Sequence, residues 1–110
     1  MTDQADDLRR SAYDALTRTL LRDEHLDVEV ARGGLHVRGR LFAFLDGAEL
    51  VVRLPEARAA ELQEREVATT FDVVEHTNRN WVRVSDWHLW PEMAREAHQY
   101  VGHPPLGGES

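Results

Sequence analysis

The six histidines, His25, His36, His76, His88, His98 and His103, are the side chains best suited to move protons or bind a metal near neutral pH. No two stand at the i, i+2 or i, i+4 spacing that would place neighbouring ligands on one strand or helix face. Glu24-His25 and Glu75-His76 are adjacent pairs, and adjacent residues diverge in either regular structure. The pattern predicts independent surface histidines and leaves open only a site assembled from distant segments. Cysteine is absent, which removes thiolate nucleophiles, disulfides and cysteine-bearing metal sites. Ser11, Ser85 and Ser110 lie outside any Gly-x-Ser-x-Gly context, and Gly33-Gly34 lacks the Lys-Ser/Thr of a phosphate loop. The reading is therefore a non-enzymatic domain with no catalytic residue, metal site or cofactor. The competing reading is a small enzyme or ligand-binding domain that uses His76, His88 and nearby acidic groups in a pocket beside Trp87.

A second constellation concerns binding. All thirteen basic residues are arginine, and the net charge of −7 opposes a phosphate backbone. The charge is uneven: residues 28–54 carry +1, against −3, −3 and −2 for residues 1–27, 55–79 and 80–110. Strict strand alternation puts Leu35, Val37, Leu41, Ala43 and Leu45 on one sheet face with Leu50, Val52, Leu54, Val82 and Val84. His36, Arg38, Arg40, Phe42, Phe44, Val51, Arg53, Trp81 and Arg83 then share the other face. Arg38, Arg40, Arg53, Trp81 and Arg83 are the candidate binding residues. A cationic and aromatic face can stack bases and hold phosphates, or meet a protein partner, including a second copy of the chain. The plainer account packs Phe42, Phe44 and Trp81 against the rest of the protein, with arginine stems across them.

The elements that must position these groups are legible. Ala5, Leu8, Ala12, Ala15, Leu16 and Leu20 line one face of a helix over about 5–21, with Asp3, Asp6 and Asp7 near its start and Arg18 and Arg22 near its end. Val28–Val30 forms a short strand before Gly33-Gly34. Leu35–Val37, Arg40–Leu45 and Glu49–Leu54 make an antiparallel meander, turned at Arg38-Gly39 and Asp46-Gly47. Pro55 opens a second helix that runs to about Glu66, on a thin face of chiefly Ala57, Ala60 and Leu62 with help from Ala59. Strands follow at 67–71 and 81–84, separated by a polar loop at Glu75–Arg79. A turn at 86–90 leads to a helix that starts near Pro91, because a proline deeper in the helix would clash with the preceding turn. Gly102 and Pro104-Pro105 end it.

The whole reads as one α+β domain over 1–102, with an antiparallel sheet of about five strands, three helices and a flexible tail at 103–110. The acidic N-terminus argues against a secretory leader, and no apolar run spans a bilayer, so the expected setting is the cytoplasm without membrane contact.

Three segments in this order, Gly34-Leu-His-Val-Arg-Gly-Arg-Leu-Phe-Ala43, Leu50-Val-Val-Arg-Leu-Pro-Glu-Ala-Arg58 and Asn80-Trp-Val-Arg-Val84 before Glu92-Met-Ala-Arg-Glu-Ala97, resemble the MmcQ/YjbR and TfoX N-terminal-domain-like proteins. The resemblance covers residues 5–101 and rests on turns and packing positions. It implies helices on a curved antiparallel sheet, similar to the double-wing arrangement of MotA C-terminal domains. It further implies a regulatory or DNA-binding role of the kind assigned to that group by analogy.

Overall fold

The structure is a computed structural model and describes residues 4–70 and 80–102. The helix α1 (Gln4–Arg22) leads through a 3-10 turn (Glu24–Leu26) into β1 (Val28–Ala31), β2 (Gly34–Val37), β3 (Arg40–Asp46) and β4 (Glu49–Arg53). After α2 (Glu56–Glu64) come β5 (Ala68–Thr70), β6 (Trp81–Val84), a 3-10 turn (Trp87–Leu89) and α3 (Trp90–Gly102). The six strands form one antiparallel sheet in the order β1-β2-β3-β4-β6-β5, in agreement with the predicted α+β architecture of three helices on an antiparallel sheet of about five strands. The predicted loop at Glu75–Arg79, the Phe71 end of the strand at 67–71 and the tail at 103–110 lie outside the described residues. No helix among the described residues is long and apolar enough to cross a membrane.

The early strands are joined by two-residue turns whose sequence is Arg-Gly. Arg32 and Gly33 have φ of 52° and 77°, and Arg38 and Gly39 have 55° and 80°. Positive φ at both central residues matches the twist of the flanking strands, which is why such turns make tight hairpins. Glycine accepts that backbone freely, whereas the arginine before it pays a local steric cost that the hairpin must hold.

The three helices share one side of the sheet. Leu16 and Leu20 of α1, Ala59 and Leu62 of α2, and Trp90, Met93, Ala94, Ala97 and Val101 of α3 join Leu35, Leu50, Val52, Val82 and Val84 in a single buried cluster. The helix α3 begins at Trp90, so Pro91 occupies the first turn, where its missing N–H has no intrahelical acceptor to lose. Arg58 ties α2 to α3: its Nε and Nη2 donate to the two Glu96 oxygens at 2.9 and 3.0 Å, and Nη1 donates to Glu61 at 3.1 Å. Asn80 closes the β6 end, its side-chain amide donating to the Leu54 carbonyl at 2.8 Å while its own carbonyl accepts from the Leu54 N–H at 2.8 Å.

One irregularity reorders the candidate face. Leu35 pairs with Ala43 but His36 pairs with Leu41, so Phe42 is an extra residue in β3, a β-bulge. Phe42 consequently turns to the helix side, where it is fully buried and its ring meets His98 edge-on with centroids 5.4 Å apart. Leu41 turns outward and is half-buried. Its Cδ1 lies 2.5 Å from where a Cβ on Gly34 would stand, so the bare Gly34 backbone leaves the space that Leu41 fills. Strict alternation assigns Leu41 and Phe42 the opposite way, and the bulge corrects both.

Candidate functional site

The predicted binding residues do not form one surface. Register pairs Arg53 with Trp81 and Val51 with Arg83, which places Arg53, Trp81 and Arg83 together on the outer face, opposite the described helices. Arg40 pairs with Val37, a core residue, and so leaves that face for the helix side. Arg38 sits in the β2–β3 turn and lines a groove with Asp23, Glu24, Asp27 and Glu29.

The outer face is mixed in charge rather than cationic. Arg83 donates from Nη2 to Asp46 Oδ2 at 2.7 Å and from Nη1 to Glu49 Oε1 at 3.0 Å. Ser85 Oγ donates to the second Glu49 oxygen at 2.5 Å. Trp81 is 9 % exposed and Val51 is fully buried, although neither belongs to the helix-side cluster. Phe44 and Trp81 meet at 5.8 Å between ring centroids, tilted by 54°. A base-stacking platform needs open ring faces, which a buried indole does not offer. Arg53 is half-buried, and its Nε is enclosed without a hydrogen-bond partner among the described residues.

The Ser85 hydroxyl first, and Arg83 after it, hold the Glu49 carboxyl below its ordinary pKa of 4.5. A carboxyl with a depressed folded-state pKa stabilises the fold above its unfolded-state value, and that stabilisation is lost as pH falls through the folded-state value. Glu49→Gln is therefore expected to lower stability near neutral pH and to lose most of that effect below the ordinary value of 4.5. Urea unfolding of both proteins at about pH 7 and about pH 3 checks the sign, since the gap between them must shrink in acid.

The histidines are dispersed. His25 is exposed in the first 3-10 turn, His36 is half-buried on the outer face, and His76 and His103 lie outside the described residues. His88 is exposed, with Nδ1 3.1 Å from Asp86 Oδ1. His98 is buried against Phe42, and its Nε2 stands 2.5 Å from the Leu26 carbonyl, which fits an N–H donor that ties α3 to the first 3-10 turn. Among the described residues, no group of three His, Asp or Glu side chains is placed to hold a metal ion.

What sequence reasoning approached only in part is a groove between α1 and the start of α3. Ala12, Ala15, Leu16, Thr19 and Leu20 form one wall, and Trp87, His88, Trp90, Pro91 and Arg95 form the other, around about 340 Å³. The two walls come from opposite ends of the chain. Trp87 is held at the mouth by stacking on His88, with ring centroids 4.0 Å apart and planes 23° apart. Asp86 fixes that pair by accepting from the His88 backbone N–H at 3.0 Å. Arg95, exposed at the rim, has no carboxylate partner among the described residues. The Trp87-His88 dipeptide was the signal in the sequence, but its nominated partner His76 is not in the described part of the structure.

No protein-family model, curated protein or solved structure matches this chain.

Proposed function

We propose that this chain is a non-enzymatic binding domain of the MmcQ/YjbR type, and that it holds a small amphiphile in the groove between α1 and α3. The observation that carries the reading is the groove itself, an apolar cleft lined by α1 and Trp87 and backed by the buried Trp90, with an arginine at its rim that has no carboxylate partner among the described residues. Its volume of about 340 Å³ falls in the range of small-molecule sites. Its apolar walls suit an alkyl or aromatic body, and Arg95 supplies a charge-assisted hydrogen bond to a carboxylate head. The arrangement of helices on an antiparallel sheet is in keeping with the sequence resemblance. A nucleic-acid role on the sheet face has less support, because Arg83 is engaged by Asp46 and Glu49 and the Trp81 ring is buried.

The test is an intrinsic tryptophan fluorescence titration with decanoate and with decanol, both below their aggregation concentrations. Saturable binding of both ligands is expected, with decanoate the tighter. Arg95→Gln should weaken decanoate about tenfold, roughly the 1.4 kcal/mol of one charge-assisted bond, and leave decanol unchanged. Ala15→Phe, which fills the groove from the α1 side, should abolish both. Absence of saturable binding, or undiminished binding to Ala15→Phe, overturns the reading.

A further inference from the structure

We infer that the free edge of β1 is a docking edge for an extended segment of another protein in which basic and apolar residues alternate, added beside β1 as a further strand.

The sheet order ends at β1, which pairs only with β2 among the described residues. In a two-residue hairpin the pair flanking the loop, Ala31 and Gly34, exchanges both of its hydrogen bonds, so the alternate residues Val28 and Val30 aim their N–H and C=O groups away from β2. Unpaired edges are commonly blunted by lysine, proline or a bulge. Val28-Glu-Val-Ala31 has no lysine, proline or bulge; it is short and its one charge is Glu29, a carboxylate that a cationic partner strand would neutralise.

The surroundings specify the partner. Val30 is 53 % exposed and Leu21 is 46 % exposed, and these are two of the three large apolar side chains that the described residues leave open. Leu21 and Val28 line a groove of about 400 Å³ beside the strand. Its other lining groups are the carboxylates of Asp23, Glu24, Asp27 and Glu29, with Arg38 as the single cation. An incoming strand must therefore bring apolar side chains to Leu21 and Val30 and cations to the carboxylates, with main-chain bonds to Val28 and Val30. A second copy of the chain fits poorly, because pairing β1 with β1 brings two acidic grooves together.

The experiment uses the full chain and three fluorescent octapeptides: alternating Lys-Val, alternating Glu-Val, and the Lys-Val peptide with prolines in place of the valines. Anisotropy should show Lys-Val binding at least tenfold tighter than either of the others, and weakening as salt rises. Val30→Pro, which removes an outward N–H that β2 does not use, should weaken Lys-Val about tenfold while circular dichroism and thermal midpoint report an intact fold. Glu24→Gln with Glu29→Gln should weaken it and flatten the salt dependence. On binding, amide exchange should slow at Val28 and Val30. Equal binding of the proline peptide, or unchanged exchange at both amides, overturns the proposal. So does a peptide-independent dimer whose formation protects those amides.

Discussion

Phe42→Ala is expected to lower the free energy of unfolding by about 3–5 kcal/mol, whereas Leu41→Ala costs about 1 kcal/mol. The two residues are adjacent and both large and apolar, so the contrast tests the β-bulge rather than hydrophobicity. Phe42 is fully buried within the helix-side cluster and packs on the His98 ring, so truncation leaves a cavity where β3 meets α3. Leu41 lies half-buried over Gly34 on the opposite face, where its loss removes less contact and the space opens to solvent. Equilibrium urea unfolding, with the denaturant slope compared across variants, measures both costs. Reversed costs would mean that β3 alternates strictly and carries Leu41 inward.

That contrast also marks where the sequence ceases to determine the face. The hairpins are legible because Arg38-Gly39 and Asp46-Gly47 are local turn signals between alternating strands. A bulge has no such signal here: Arg40-Leu-Phe-Ala-Phe-Leu45 fits either phase, since every residue after Arg40 is apolar. The choice is made by packing, because the helix side has room for a phenyl ring beside Ala43 and the outer side offers Leu41 the bare backbone of Gly34. One inserted residue then carries Arg40 off the outer face and takes it from the predicted binding set.

Electrostatic pairing explains the rest of the difference. Glu49 and Asp46 have the same strand parity as Val51 and Phe44, so their meeting with Arg83 was accessible from alternation and register together. Counting charge by segment hid it, because Arg83 falls in one segment and its two partners in another. The Arg58–Glu96 pair was hidden more deeply, since its partners stand 38 residues apart on helices whose relative placement only the tertiary fold supplies. The same holds for the groove. The stripe of Leu16 and Leu20 on α1 was legible, as was a pocket beside Trp87, but not that the two face each other. The resulting charge distribution is informative despite the net −7: Arg95, with no carboxylate partner among the described residues, stands at the groove, and carboxylates gather near the β1 edge.

Trp90 joins the fold to the groove, and its replacement carries the other large expected effect. The side chain is fully buried, its Nε1–H donates to the Val84 carbonyl at 2.9 Å, and it forms part of the groove wall. Trp90→Ala removes the largest fully buried side chain at the point where the second 3-10 turn becomes α3, and is expected to cost about 3–5 kcal/mol. Trp90→Phe keeps an aromatic ring but no N–H, which takes from the Val84 carbonyl the indole donor. Its expected cost is about 1–3 kcal/mol. Urea unfolding of the two variants separates ring volume from hydrogen bond, because only the alanine variant leaves a large cavity. A phenylalanine cost as large as the alanine cost would assign the corner to the hydrogen bond and the exact ring shape. A negligible one would mean that packing alone holds α3 against β6. Decanol affinity then reports on the groove: because Leu16, Leu20 and Trp87 still form its walls, Trp90→Phe should weaken binding only a few-fold, even where it costs the fold far more.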